Sequence, residues 1–188
     1  VTMVLSYAEI PFDVIYDEEV LNEKLLLYEW LHLHHEDFTG QFGKFYGSYK
    51  TAPWYIEQKI ASEKLATKLG FSKVSEEKLA VALKIRDFVI GGGFMFAMCS
   101  ATDSFDIALS AEGVDICETM FDGDPSEIDY QQKIDYNKTF AFKDYSLVRN
   151  PNEYEFSSID MTSKRQNIQR TSDYFSLKEY SAKWDPIP

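Results

Sequence analysis

The sequence is poor in cysteine and in positive charge, and each shortage excludes a class of protein. Only Cys99 and Cys117 stand among 188 residues, which excludes a scaffold held together by disulfides. A Cys99–Cys117 bridge is not expected either, because a helix is predicted between the two. Lysine and arginine number 19 against 31 aspartates and glutamates, a net charge of −12. The basic residues are scattered, whereas a nucleic-acid surface normally carries a basic stripe, so we expect no nucleic acid as the main partner.

Long apolar runs are also missing, since no stretch reaches the roughly 18 apolar residues that a membrane-spanning helix needs. Residue 1 does not open a secretory signal, and we predict no membrane insertion. The composition is that of a globular domain, with 45% hydrophobic and 27% charged residues. We predict a single domain over residues 1–188. Because Val1 falls inside an amphipathic helix with no strand before it, we expect the chain to be an internal piece of a longer protein.

Apolar periodicity predicts alternating helices and strands up to about residue 113. The predicted strands are FDVIYD (12–17), WLHLHH (30–35) and FMFAM (94–98). The predicted helices run from Pro53 to Gly70, from an N-cap at Ser75 to Gly91, and from near Asp103 to Gly113. FMFAM is apolar at every position, which is typical of a central parallel strand covered on both faces. This order predicts an α/β fold, specifically a three-layer sandwich around a mainly parallel sheet.

From about residue 114 the pattern changes, and we predict a β-rich C-terminal extension. Three segments alternate as strands do: TFAFKDYSLV (139–148), YEFSSIDM (154–161) and YFSLKEYSAKW (174–184). TSKRQNIQRTSD (162–173) is polar and is predicted to be mobile. The acidic stretch DGDPSEID (122–129) does not have the spacing of a calcium-binding EF-hand loop, so we interpret it as a solvated loop. The tyrosines of this part are interpreted as core and surface residues of strands rather than as a stacking platform.

Cys99 ends the best predicted strand, in GGGFMFAMCSATDSFD (91–106). In an open parallel sheet, ligands bind beyond the carboxyl ends of the strands. The next helix directs its free backbone N–H groups, at Ser100 and Ala101, to the same place, where they favour a thiolate and an oxyanion. The alternative is a small apolar residue that packs. A nucleophilic cysteine needs a base, and no histidine follows Cys99 in the sequence.

All three histidines lie in HLHHED (32–37), at the end of the second predicted strand. On a strand His32 and His34 share a face and His35 points the other way. The cluster has three interpretations. His32 and His34 could bind a metal with a carboxylate, although no third ligand is identifiable. His34 or His35 could line a cleft beside Cys99 with Glu36, or the histidines could simply satisfy the loop above the sheet. We predict no metal.

Long stretches of the chain resemble a bacterial family usually labelled asparagine synthetase B. They are VLSYAEIPFDVIYDEEVL, EWLHLHHEDFTGQFGKFY, APWY and GGGFMFAMCSATDSFDIALSAEGVDICETMFDGDP, and the likeness continues through SAKWDPIP. The resemblance implies a flavodoxin-like fold of the class I glutamine amidotransferase type. Cys99 matches the nucleophile position of that fold, and His34, His35 and Glu36 match the loop after the neighbouring strand. We expect His32, Asp37, Ser100 and Ala101 to contribute to ligand binding.

The resemblance also has departures. The chain has neither an N-terminal catalytic cysteine nor an SGGxDS loop, so we expect no typical ATP-dependent asparagine synthetase. Ala97 and Ser100 stand where amidotransferases have glycines, and the later His and Glu of their triad have no counterpart. The expected function is a cysteine-dependent hydrolase or amidotransferase acting on a small amide-type compound, without a cofactor. The alternative is a non-catalytic ligand-binding or structural domain. The resemblance further implies an exported protein.

Overall fold

The computed structural model describes residues 1–160 and 176–178. The helices are α1 (Thr2–Tyr7), α2 (Asp17–Leu21), α3 (Tyr46–Tyr49), α4 (Pro53–Lys68), α5 (Val74–Ile90), α6 (Ser100–Ser110), α7 (Thr119–Asp122) and α8 (Tyr130–Lys133). Single 3₁₀ turns lie at Lys24–Leu27, Phe42–Lys44 and Tyr136–Lys138. The strands are β1 (Trp30–His34), β2 (Phe94–Met98), β3 (Phe142–Lys143) and β4 (Ser176–Leu177).

The centre of the fold is a parallel pair, β1 and β2, aligned from Trp30 opposite Phe94 to His34 opposite Met98. Parallel strands need a long crossover, which α3, α4 and α5 provide. Leu31 and Leu33 point from β1 into a core shared with α5 and α6. The molecule is therefore an α/β protein with a small parallel sheet. Among the described residues, no helix is long and apolar enough to cross a membrane.

Among the described residues, the sheet is covered on one face, and the prediction that FMFAM is covered on both faces is wrong. Its residues alternate: Met95 and Ala97 pack against the core, whereas Phe94 is 61% exposed and Phe96 45% exposed. Successive side chains of a strand point to opposite faces of the sheet. Because every residue of FMFAM is apolar, its sequence does not show which side chains are exposed. In the described part of the chain, β1 and β2 form a two-stranded sheet, and the three-layer sandwich is not confirmed.

Helix boundaries differ from the predicted ones where acidic side chains act as caps. FDVIYD is not a strand: the backbone N–H of Tyr16 donates to Glu19 at 2.9 Å, and α2 begins at the next residue. The helix predicted with Ser75 as its N-cap begins two residues earlier, with Lys73 as the N-cap and Val74 as the first helical residue, because Glu76 accepts from the N–H of Lys73 at 3.2 Å. Carboxylates at a helix N-terminus satisfy donors that have no intrahelical acceptor.

The boundaries of α4 and α6 test two further predictions. α4 begins at Pro53 as predicted, and Gly70 follows its end with a φ of +90°, the left-handed region that glycine adopts without cost. α6 begins at Ser100 rather than near Asp103 and ends at Ser110. The helix therefore starts directly at the cysteine, three residues earlier than expected.

The β-rich extension after residue 114 is not confirmed. The described part holds the short helices α7 and α8, the two-residue pair of β3 with β4, and one bridge between Leu147 and Ser157. One physical reason is the buried Asp106, whose carboxylate accepts three consecutive backbone N–H groups, from residues 140, 141 and 142, at 2.7, 2.8 and 2.9 Å. Residues 162–173, and 174–184 apart from 176–178, lie outside the described residues, so those predictions stand untested.

Candidate functional site

Cys99 lies at the turn between β2 and α6 with a backbone that non-glycine residues seldom adopt. Its φ is 54° and its ψ is −135°, and it is the N-cap residue of α6. Such a conformation costs about 1–3 kcal/mol unless the surrounding structure enforces it. The side chain is a free, exposed thiol, so the packed alternative does not describe it. The backbone of Cys99 is strained and its sulfur is not buried, and both features are typical of a reactive cysteine.

His35 occupies the equivalent position on the neighbouring strand. β1 pairs with β2 up to His34 opposite Met98, so the next residue on each strand is His35 and Cys99. Both have a positive φ, 59° for His35 and 54° for Cys99. Paired strands lie about 4.8 Å apart, which brings these two turns side by side. The sequence prediction that HLHHED ends beside Cys99 is therefore supported by the register of the sheet.

His34 and His35 form one imidazole pair, with ring centroids 4.0 Å apart. The pKa of His34 is lowered, first by desolvation and then by the positive charge of the neighbouring His35. A lowered pKa favours the neutral imidazole at neutral pH, which is the form that accepts a proton. Among the described residues, no carboxylate is hydrogen-bonded to either ring.

His32 lies further from the turn, on the exposed face of the sheet. Its ring stands 5.2 Å from that of Phe96 and 6.4 Å from that of His34. The Nε2 atom of His32 is buried and has no hydrogen-bond partner among the described residues. Within the described part of the chain, no carboxylate or thiol stands with these two histidines at the spacing of a metal site.

Glu36 and Asp37 were predicted to belong to the cleft, and the structure directs the carboxylate of Asp37 elsewhere. The carboxylate of Asp37 accepts from the N–H and hydroxyl of Thr39 at 2.7 and 2.6 Å and from the N–H of Gly43 at 2.8 Å, so it shapes the loop. Glu36 is near Lys78 and Asp17, at the start of α5. Desolvation raises the pKa of Glu36, while Lys78 opposes that shift.

Asp103, one helical turn after Cys99, is a site residue that sequence reasoning missed. It is 3% exposed, and burial raises its pKa to about 7, with a further contribution from the negative charge of Asp160. The hydroxyl of Ser157 approaches its carboxylate at 3.5 Å. Sequence reasoning assigned Asp103 to the cap of the next helix. The sequence did not show that α6 begins at Ser100, which places Asp103 in the buried first turn of the helix.

An exposed group of aromatic rings lies beside this turn, and we call Phe45, Tyr49, Trp54 and Tyr154 the ring cluster. Their centroids are 5.1–6.0 Å apart in successive pairs. Burial raises the pKa of Tyr154, and nearby negative charge raises it further. Three residues after Tyr154, the hydroxyl of Ser157 lies 3.5 Å from the carboxylate of Asp103, so the segment that carries Tyr154 lies against the first turn of α6. The expectation that the late tyrosines are strand residues does not hold for Tyr154, which lies outside the strands.

Cys117 stands in different surroundings. It is fully buried, its thiol donates to the carbonyl of Thr39 at 3.2 Å, and burial raises its pKa well above the usual range.

Donor atoms of Asp115, Cys117 and Asp122 lie within 4.8 Å of one another, as in a metal site. However, the Lys73 ammonium lies 2.7 Å from Asp115 and 3.1 Å from Asp122. The position that a metal ion would take is therefore already held by a lysine ammonium of the chain itself.

Comparison with known proteins adds no relative. No protein-family model matches the chain, and no match is found among curated proteins or solved structures.

Proposed function

We propose that this chain is a class I glutamine amidotransferase-like domain that acts as a cysteine-dependent hydrolase or amidotransferase on a small amide. The observation that carries the proposal is the backbone of Cys99: an exposed thiol held at positive φ between a parallel strand and a helix. A strained strand-to-helix turn that presents a nucleophile is the arrangement of the nucleophile elbow. The stretches that resemble the family labelled asparagine synthetase B support the same proposal.

The site residues divide into a nucleophile, a base and an oxyanion-binding group. The sulfur of Cys99 attacks the amide carbonyl after a proton passes to a neighbouring imidazole, of His35 or His34. The backbone N–H groups of Ser100 and Ala101 have no intrahelical acceptor and face the developing oxyanion. The C–N bond then breaks, and ammonia leaves with the proton held by the imidazolium. Water cleaves the thioester, which gives the carboxylic acid and restores the thiol.

Two residues of the predicted site take other roles in this proposal. Asp37 organises the loop that follows β1, and Glu36 lies toward Lys78. Neither orients an imidazole. Asp103 has the position to act through the first turn of α6, because it lies beneath Cys99 and carries a carboxyl group that titrates near neutrality.

Release of ammonia from a panel of small amides tests the proposal. Cys99→Ala should abolish release, whereas Ser48→Ala, on an exposed position of α3, serves as the control and should leave it unchanged. His35→Asn and His34→Asn identify the base; asparagine tolerates the positive φ of His35 better than most residues do. Equal activity of Cys99→Ala and the unmodified chain would contradict the proposal. A labelling pKa for Cys99 near the free value of about 8.5 would argue in the same direction.

A non-catalytic ligand-binding domain is the second candidate, and one observation favours it. Among residues 1–160 and 176–178, no carboxylate holds either imidazole, whereas catalytic histidines are commonly oriented by one. In addition, two cavities of about 290 and 250 Å³ lie away from Cys99, one beside Tyr55 and one beside Cys117. Under this candidate, Cys99→Ala would bind small amides as the unmodified chain does, and neither would release ammonia.

A further inference from the structure

We propose that the ring cluster binds an organic cation, and that the amide attacked by Cys99 carries a positive charge at its far end. The second half of this inference rests on the proposed function, whereas the first half does not. The occupant is a substituted ammonium or a guanidinium group. It is recognised by the faces of Phe45, Tyr49, Trp54 and Tyr154.

The four rings pack against one another in one partly exposed patch. Phe45 is at the centre, with centroids 5.7 Å from Trp54, 6.0 Å from Tyr49 and 5.5 Å from Tyr154. Trp54, Tyr49 and Tyr154 are 44%, 45% and 41% exposed. Aromatic faces within about 6 Å of a cation attract it through the ring quadrupole, and tryptophan does so most strongly.

Two glycines hold the rings in place. A Cβ at Gly43 would stand 2.5 Å from the ring of Phe45, and a Cβ at Gly47 would stand 2.8 Å from the backbone of Asn152. The first glycine lets the Phe45 ring fold back over the loop. The second lets α3 approach the segment that carries Tyr154. A surface preorganised in this way loses less conformational entropy when a ligand binds.

The overall charge of the chain favours a cation over an anion as the ligand. The chain has a net charge of −12, which attracts cations to its surface. The protein already uses the same interaction nearby: Lys50 lies 5.4 Å from the centroid of Tyr46, and Lys59 lies 5.5 Å from that of Phe42. In the described part of the chain, no lysine or arginine lies over the four rings of the cluster.

The position of Tyr154 connects this surface to the cysteine. Tyr154 belongs to the ring cluster, and three residues further on the hydroxyl of Ser157 lies 3.5 Å from the carboxylate of Asp103, in the first turn of the helix that Cys99 caps. A cationic group on the rings would therefore leave the other end of a short molecule near the thiol. The exposed rings are also compatible with a protein docking surface, and the experiment below distinguishes that case.

The test measures binding of choline and of 3,3-dimethyl-1-butanol, which has the same shape without the charge, by calorimetry. The protein is the Cys99→Ala variant, so turnover does not interfere. We expect choline to bind roughly tenfold more tightly than the alcohol. Trp54→Ala and Tyr154→Ala should each weaken choline binding about five- to twentyfold, and Trp54→Phe, which keeps a ring face, should weaken it less. Trp30→Ala, an exposed tryptophan on the sheet face, is the matched control and should bind choline normally.

Equal affinities for the two compounds, or choline binding that Trp54→Ala and Tyr154→Ala leave unchanged, would overturn the inference. So would an absence of saturable choline binding, the result expected of a protein docking surface. The outcome does not depend on ammonia release. Charge-selective binding without amide hydrolysis would support the ring cluster and contradict the proposed enzyme, whereas hydrolysis of neutral and cationic amides at equal rates would contradict the substrate class alone.

Discussion

The two cysteines of this chain stand in opposite environments. Cys99 is exposed, at a positive φ, at the end of a strand and the start of a helix. Cys117 is fully buried, with its thiol donating to a backbone carbonyl and its pKa raised by burial. One position accepts backbone strain to present sulfur to solvent, and the other uses sulfur as a small packing residue. The comparison separates a candidate nucleophile from a structural thiol within one molecule.

The strongest test of this comparison is alkylation by iodoacetamide. In the folded protein we expect Cys99 to react at least about a thousandfold faster than Cys117, because Cys117 becomes accessible only when the structure opens. Peptide mapping by mass spectrometry over a time course gives both rates in one sample. Labelling in urea, where both thiols are free, is the control and should equalise the rates. Comparable rates in the folded state would remove the distinction.

A smaller effect is expected from the buried carboxyl group beneath the Cys99 turn. The pKa of Asp103 is raised from 3.8 to about 7 in the folded chain. A group whose pKa is raised on folding stabilises the protein fully below its unfolded pKa and loses that contribution as pH rises through the folded value. The free energy of unfolding should therefore fall by a few kcal/mol between about pH 4 and pH 7. Glu77, whose pKa burial also raises to about 7, contributes with the same sign.

Urea denaturation at several pH values measures this loss. Asp103→Asn should flatten the profile in that window, and Glu77→Gln should flatten it further. Glu57→Gln, on the exposed side of α4, is the matched control and should leave the slope unchanged. A profile of Asp103→Asn that falls as steeply as that of the unmodified chain would show that Asp103 is already ionised at low pH.

The smallest expected effects come from substituting the two cysteines themselves. Cys117→Ala removes a buried thiol and its hydrogen bond and should lower the free energy of unfolding by about 1–2 kcal/mol. Cys99→Gly should raise it by about 1 kcal/mol, because glycine adopts the positive φ without strain. Cys99→Ala keeps the strain and is the reference for that change. Thermal unfolding measures all three, and a destabilised Cys99→Gly would mean that the turn is not strained.

The sequence predicted the central elements of the fold because their signals are local. Pro53 and Gly70 bracket α4, and the run of histidines after Trp30 marks the end of β1. It could not predict that FMFAM is exposed on one face, because Phe94 and Phe96 look the same whether or not anything covers them. The segment after residue 114 was assigned to strands because apolar and polar residues alternate in it. However, the carboxylate of Asp106, 34 or more residues earlier in the chain, accepts hydrogen bonds from its backbone N–H groups.

In the candidate site, too, local features could be predicted from the sequence and contacts between distant segments could not. Cys99 and the histidines were singled out because each group ends a predicted strand, a position that is visible in the sequence. The buried state of Asp103 and the assembly of the ring cluster depend on contacts between distant segments, such as Phe45 with Tyr154. No local pattern encodes those contacts. Asp37 was assigned to the cleft because it is adjacent to the histidines, and its carboxylate instead accepts hydrogen bonds within the loop.

The parallel pairing of β1 and β2 sets the distance between the two turns of the candidate site. Since His34 is paired with Met98, the separation between the turns at His35 and Cys99 is fixed by the hydrogen-bond spacing of the sheet and not by the two side chains. Substitutions in the loops can rotate the imidazole or the thiol, but they cannot bring the two backbones closer. A slip of one residue in the strand pairing would place Met98 beside His35 instead. The distance between the two turns is thus set by the register of the backbone. A change of register would therefore separate His35 from Cys99 in a single step and not gradually.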